Sequence, residues 1–475
     1  MNHFPARCIL LHFCLLLWAF CAAAGSKPNV VILYTDDQGT LDAGCYGSDD
    51  LHTPTIDRLA RDGVRFTQAY AHTVCCPSRA ALLTGRHPQR SGVNSWTQNN
   101  INGPDGVNMA LEEVTLAEML KDAGYRTGLF GKWHVGSHRD FGPMKQGFDE
   151  FFGIRNGFID NYNHYFLHQK GFHDLFEGTT EVFKDGEYFP ELITERALEF
   201  IDRNEENPFL LYIGYNIPHY PEQALEEHTE LYQDLPMPRR SYAAIITTTD
   251  HYMGLIMEKL DDLGLTENTI VIFQSDNGHS IEDKAGLTMD DHNSGLPKGH
   301  YYSAHGGGGN TGKWLGAKGT FLEGGVRVPA VVSWPAGLPK GEVRDQAVTI
   351  MDWLPSLAEW CHTDLPAAEL DGRSLQPIID SAEAPSAHPI LYFQWQKKWA
   401  VREGDWKLLM AGKDPQLLNL ADDEPEAKDY FADEPEIAAS LRARYDAWAK
   451  DVFKKIGLNG SVRTSPHTAT PAHRL

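Results

Sequence analysis

Val30-Val31-Ile32-Leu33-Tyr34-Thr35-Asp36-Asp37 is an unbroken apolar run that stops on two acids. A strand buried on both faces reads this way, whereas a strand with one wet face alternates. The signature returns at Phe209 to Ile213, followed by Pro218-His219, and at Thr269 to Phe273, ending near Asp276-Asn277. Leu129-Phe130 runs likewise into Gly131-Lys132-Trp133-His134. Helical patterns lie between these runs. Thr115 with Glu118 forms a capping box ahead of Leu116, Met119 and Leu120, and Gly124 is placed to end that helix. From Tyr252 to Leu263 the residues Ile256, Leu260 and Leu263 keep helical spacing, and Gly264 can cap. This alternation, with no internal repeat, predicts an α/β fold built on a large, mostly parallel sheet flanked by helices. Ligands of such sheets bind outside the carboxyl ends of the strands, so polar residues far apart in sequence converge there.

Composition bounds the rest. With 475 residues, 42% hydrophobic and 23% charged, the chain is ordinary globular protein and not fibrous or disordered. An excess of 65 acidic over 42 basic residues gives a formal charge of -23, which argues against nucleic acid and anionic membrane surfaces as partners. An anionic substrate therefore needs positive charge gathered in one place.

Residues 1–24 stand apart: Arg7 is the only charge, Ile9 to Ala24 is mostly apolar, and Ala22-Ala23-Ala24 supplies a cleavage site. The stretch reads as a signal peptide, too short for a membrane anchor, and predicts a periplasmic or secreted product. Cys8, Cys14 and Cys21 leave with it, so the mature chain keeps Cys45, Cys75, Cys76 and Cys361 and has no disulfide framework. A catalytic domain is expected over 25–384. Short strand-like runs at Ile390 to Phe393, Trp399 to Val401 and Trp406 to Met410, then a helix near Ile437 to Phe453, predict an α+β subdomain with a short antiparallel sheet over 385–460. The Ser-, Thr-, Pro- and His-containing tail, 461–475, is expected to be mobile.

Asp36-Asp37 and Asp276-Asn277 offer oxygen ligands only, which suits a hard cation such as calcium or magnesium; acids at a strand end also serve as turn formers or helix caps. The most informative stretch is Cys75-Cys76-Pro77-Ser78-Arg79-Ala80-Ala81-Leu82-Leu83-Thr84-Gly85-Arg86. Pro77 fits the first position of a helix, which points backbone N–H groups and the positive end of a helix dipole at Cys75, an anion site.

The whole string resembles the sulfatase signature, C-x-P-S-R followed by x-x-x-L-T-G-R, which directs oxidation of its first cysteine to formylglycine. Asn29 to Gly39, Gly131 to Gly136, Pro218-His219, Ser275 to Gly278 and Lys318 through Pro329 also look like the type I, arylsulfatase-A-like sulfatases of the alkaline phosphatase superfamily, in the family order. The resemblance covers roughly residues 28 to 335 and, more weakly, the C-terminal subdomain. It implies one calcium ion held by Asp36, Asp37, Asp276 and Asn277 with the modified Cys75. It makes Arg79, Lys132, His134, His219 and Lys318 the pocket around formylglycine and sulfate, and a formylglycine-generating maturation enzyme a partner. It also implies roles: Lys132 holding sulfate, His134 as proton acceptor, and His219 with Lys318 protonating the departing oxygen.

A sulfated carbohydrate is the expected substrate. Asp160, Asn161, Tyr162, His164 and Tyr165 form a polar-aromatic cluster, and the segment with His279, His292, His300 and His305 is placed to rim a pocket; such groups suit sugars, and equally occur on ordinary surfaces and in cores. Two other readings stay open. One is a phosphodiester or phosphonate monoester hydrolase on a related site; the other is a glycan-binding protein whose Cys75 is never oxidised.

Overall fold

The computed structural model describes residues 27–97, 106–167, 171–282, 306–422 and 424–454. The expected signal peptide, the tail, and His292, His300 and His305 lie outside the described residues. Along the chain run strands β1 (Asn29–Asp36), β2 (Val64–Tyr70), β3 (Arg126–Lys132), β4 (Glu150–Ile154), β5 (Phe176–Glu177), β6 (Thr180–Glu181), β7 (Phe209–Pro218), β8 (Thr269–Ser275), β9 (Arg327–Ser333), β10 (Glu342–Arg344) and β11 (Val348–Thr349). These form one sheet of order β10-β2-β9-β8-β1-β7-β3-β4-β5-β6, with β11 also on β2. Its centre, β8-β1-β7-β3-β4, is parallel; β9 runs antiparallel to both β8 and β2.

Both faces of β1 are covered, which explains its unbroken apolar run. Val30 and Ile32 pack on one side with Leu116, Leu120, Leu354 and Leu357 from helices Leu116–Asp122 and Trp353–Trp360. Val31 and Leu33 pack on the other with Phe200, Ile201, Ile245 and Ile256 from helices Phe189–Asn204 and Arg239–Asp262. Burying each such side chain contributes roughly 1.5–3 kcal/mol, so the sheet is held from two sides. The capping box at Thr115 and Glu118 is present, and Gly124 takes the left-handed conformation that ends the turn. Among the described residues no helix is long and apolar enough to cross a membrane.

Two details differ from the sequence reading. Helix Arg239–Asp262 starts well before Tyr252, because Tyr242, Ile245 and Ile246 are buried in the core and their packing outweighs the poor helix propensity of Thr248 and Thr249, whose hydroxyls bond the carbonyls of Ala244 and Ile245. Helix Cys75–Thr84 begins two residues before Pro77, which sits in the first turn, where a missing N–H removes no intrahelical bond.

A second sheet is antiparallel throughout: β12 (Ile390–Trp395), β13 (Lys398–Glu403), β14 (Trp406–Met410) and β15 (Gln416–Asn419). Trp399, Val401, Leu408 and Leu417 pack under Leu441 and Tyr445 of helix Pro435–Lys454. The opposite face, with Leu391, Phe393 and Leu409, seats on Tyr70, Phe321 and Val326 of the main body.

Candidate active site

Adjacent strands β8, β1, β7 and β3 end at one edge of the sheet. β1 delivers Asp36 and Asp37, β8 leads into Asp276 and Asn277, β7 stops one residue before His219, and β3 ends on Lys132 with His134 just beyond. Asp37 and His134 take φ values of 66° and 59°, which turn the chain sharply off its strand. Gly131 makes the close approach possible: at its φ of 114°, a Cβ would lie 2.1 Å from the Gly214 carbonyl oxygen of β7. Helix Cys75–Thr84 supplies Cys75 as its first residue, preceded by extended Val74, and Arg79 one turn later.

These side chains meet in a buried charge network. Arg79 donates to Asp276 Oδ2 from Nη2 at 2.9 Å and to the Lys132 carbonyl at 3.1 Å. Lys132 Nζ bonds Asp36 Oδ2, and Lys318 Nζ bonds Asp37 Oδ2 at 2.8 Å. Asn277 Nδ2 donates to Asp37 Oδ1 at 2.6 Å, and His219 Nε2 stands 3.6 Å from Asp37 Oδ2. His219 Nδ1 donates to the Tyr220 carbonyl at 2.7 Å, and the ring stacks on Phe158. His134 stacks on Trp96 and has neither ring nitrogen bonded.

Burial sets the protonation states, and the cations correct them. Against burial, the charged Lys132 and Arg79 hold Asp36 far below the usual carboxylate range. Burial and then Asp36 push Asp276 up to about 7. Burial, then Lys132 and Arg79, hold His134 well below the ordinary imidazole value; burial and Lys318 bring His219 to about 3. Both rings are therefore neutral and able to accept a proton. Burial raises the Cys75 thiol well above its usual value despite Lys132 and Lys318, so an unmodified Cys75 is a poor source of thiolate.

Three carboxylates face three cations here, an even balance that leaves no net attraction for an anion. One ligand atom each from Asp36, Asp37, Cys75 and Asp276 lies within 4.8 Å of the others. Asp36 Oδ1 and Asn277 Oδ1 are buried without a hydrogen-bond partner. Oxygen atoms that lack a donor, beside carboxylates, fit a hard divalent cation, which would make the site net positive.

Of the other expected residues, His279 borders the site, its carbonyl accepting the Lys318 amide at 2.9 Å, while Asp160, Asn161 and His164 lie outside the charge network. Asp160 accepts the amides of Tyr162 and Asn163 and the Gln223 side chain, and Asn161 accepts from Asn216 Nδ2. They tie a loop to the segment before and after His219. His164 is fully buried beside His173, and His279 packs against Gly309 near Asp42. The cleft beside Asp37 and His219 is lined instead by Tyr220, Glu222, Tyr242, Ser280 and Glu282. No spacing marked these five; Tyr220 and Glu222 could have been found as neighbours of Pro218-His219 at a strand's carboxyl end.

The Sulfatase family profile matches residues 28–363, and the profile of the N-sulphoglucosamine sulphohydrolase C-terminal region matches residues 313–448. The chain belongs to the sulfatase family. As a sulfatase it is a sulfuric ester hydrolase. It is 30% identical to human steryl-sulfatase, over 82% of this chain and 76% of that one. It is 33% identical to N-acetylgalactosamine-6-sulfatase of Canis lupus familiaris, over 81% and 72%. The crystal structure of Ps i-CgsB, also solved in complex with k-i-k-neocarrahexaose, superposes with a TM-score of 0.76 at 28% identity, covering 91% of the sulfatase and 94% of that chain. The phosphonate monoester hydrolase of Agrobacterium radiobacter shares the fold, with a TM-score of 0.65 at 18% identity over 90% and 96%.

Proposed function

We propose that this sulfatase is exported and removes sulfate from a carbohydrate, using formylglycine made from Cys75 and one calcium ion. The carrying observation is Cys75 at a helix N-terminus, buried among Arg79, Lys132, Lys318 and three carboxylates. The apolar leader supports export, and the named sugar substrates of similar proteins support a glycan. A galactose or N-acetylgalactosamine unit is the first choice for screening.

Formylglycine, as its hydrate, supplies a hydroxyl nucleophile where a thiol is the wrong group. Calcium held by Asp36, Asp37, Asp276 and Asn277 supplies positive charge that stabilises the negative charge developing beside position 75. The side chains do the rest. Lys132 and Lys318 exchange their carboxylate partners for sulfate oxygens. Arg79, held between Asp276 and the Lys132 carbonyl and lying over the Tyr34 ring, fixes the carboxylates in place. Neutral His134 accepts a proton from position 75. His219, whose Nδ1–H is committed to the Tyr220 carbonyl, turns Nε2 toward the leaving oxygen. Lys318, kept protonated by Asp37 against its burial, supplies the proton that His219 Nε2 passes to that oxygen.

The test is a peptide map across residues 71–86 of protein made in its own host, alongside turnover of sulfate and phosphate esters of one alcohol. Expected are a mass loss of about 18 Da at Cys75, the difference between a thiol and an aldehyde side chain, and dominant sulfate-ester turnover that Cys75→Ala abolishes. Unmodified Cys75 in active protein sinks the nucleophile, and dominant phosphate-ester turnover sinks the substrate class.

A further inference from the structure

Away from the charge network, His164, His173 and Asp185 converge. One nitrogen of each imidazole and one carboxylate oxygen of Asp185 lie within 4.8 Å of one another. His164 is fully buried, His173 is 6% exposed, and Asp185 is exposed. The rings meet edge to face, 6.2 Å between centroids, and Phe183 stacks on His173.

The tautomers follow from the partners. His164 Nε2 lies 3.1 Å from the Glu187 carbonyl, which can only accept, so Nε2 carries the hydrogen and Nδ1 the lone pair. His173 Nδ1 lies 3.0 Å from Glu181 Oε1, so Nδ1 donates and Nε2 carries the lone pair. Those two lone-pair nitrogens, His164 Nδ1 and His173 Nε2, are buried with no hydrogen-bond partner. Burial and the neighbouring His173 hold the His164 imidazole down at about 4, so it stays neutral. Among the described residues no cation pairs with the Asp185 carboxylate. Two buried lone pairs thus lack a donor and stand beside an exposed carboxylate, an arrangement that a cation with a water on its open side satisfies.

We propose that His164, His173 and Asp185 bind a zinc-class divalent ion, with a fourth position open to water. Two imidazoles and one carboxylate are borderline ligands that favour zinc over calcium. A backbone carbonyl and a carboxylate behind the two rings fix the ligand tautomers, as the outer partners of metal-bound histidines do. A tetrahedral ion with ligands about 2.1 Å away spaces its donors about 3.4 Å apart, which small side-chain rotations reach from the present separations. The ion clips the loop from Asp160 to the Phe183–Glu187 segment. Asp160 and Asn161 of that loop contact Gln223 and Asn216, so the ion ties down a loop that lies outside the charge network.

The probe is zinc itself, added to the full mature chain after chelation and refilling with excess calcium. Calorimetric titration and metal analysis after gel filtration should find one zinc per chain. His173→Gln should abolish stoichiometric binding, Asp185→Asn should weaken it, and Glu181→Gln should weaken it by about 10–100-fold. Cobalt in place of zinc should give d–d bands without thiolate charge-transfer absorption. Aryl sulfate turnover by His173→Gln should stay within about twofold of the parent, separating this site from the sulfatase chemistry. Exposed Asp185 keeps the test open should His173→Gln misfold. Equal zinc binding by the parent and Asp185→Asn, no binding by the parent, or a thiolate band placing the ion on Cys75 each overturns the assignment.

Discussion

His134 has its backbone in the left-handed region, its ring stacked on Trp96 and both nitrogens unbonded. Nothing in the described fold satisfies those nitrogens, which supports the proposed role of this side chain as proton acceptor. Removing it with His134→Asn should lower kcat by about 10²–10⁴-fold with the circular dichroism spectrum unchanged. The protonation sign is set by burial, Lys132 and Arg79, which keep the ring neutral below the ordinary imidazole value. The acid limb of kcat should therefore fall well below pH ~6.5. A limb near pH 6.5 that disappears in His134→Asn would contradict the burial argument. The motif string marked this residue, but its unbonded nitrogens came only with the coordinates. His173 and Asp185 carry no such signal, because their spacing from His164 follows no helical or strand period and no motif.

At the scale of elements, the junction between the two sheets holds a second buried charge network. Lys407 of β14 donates to Glu323 and Glu426, both at 2.7 Å, and to the Phe321 carbonyl. Glu323 also accepts from Tyr70. Despite burial, Lys407, Arg402 and Arg327 hold Glu323 at about 2. Its folded value is below its unfolded one, so the stability it contributes is complete above pH ~4.5 and lost as pH falls toward 2. Lys407→Met leaves a buried carboxylate unpaired and should cost about 3–5 kcal/mol at pH 7. Denaturant unfolding should show that cost shrinking at pH 4 and partly recovered by adding Glu426→Gln, since Glu323 keeps Arg327 and Arg402 while, among the described residues, Glu426 pairs with Lys407 alone; a cost independent of pH would exclude an ionic origin. Four strands, the capping box and the second sheet were legible because apolar runs and turn residues are local. Lys407 was not: between Trp406 and Leu408 it reads as a solvent-facing strand position, and only the docking of the sheet onto Phe321 and Val326 turns it inward. The first half of helix Arg239–Asp262 was hidden by its threonines in the same way.

For the whole molecule, a formal charge of -23 surrounds a site that must attract an anion. The carboxylates closest to Cys75 are part of that excess and are fully buried. Without a divalent ion, burial and Asp36 raise Asp276 to about 7. A carboxyl with a folded value above its unfolded ~3.8 favours the fold at low pH and loses that contribution as pH rises through 7. The proposed calcium ion would reverse the penalty by pairing with the ionised form, so its addition should stabilise the protein more at pH 8 than at pH 5. At free calcium about 100-fold above its dissociation constant, the gain is about 2.7 kcal/mol. Spread over a chain of this length, with an unfolding entropy of about 2.1 cal/mol/K per residue, that is a rise in Tm of roughly 2–3 °C. Scanning calorimetry of chelated protein, before and after calcium, measures it at both pH values. Asp37→Asn removes one ligand charge and should shrink the rise, while zinc added at saturating calcium should leave the calcium-dependent part unchanged. A Tm indifferent to calcium at pH 8 would mean that Lys132, Lys318 and Arg79 alone neutralise the carboxylates, and that the positive charge needed for sulfate comes from elsewhere.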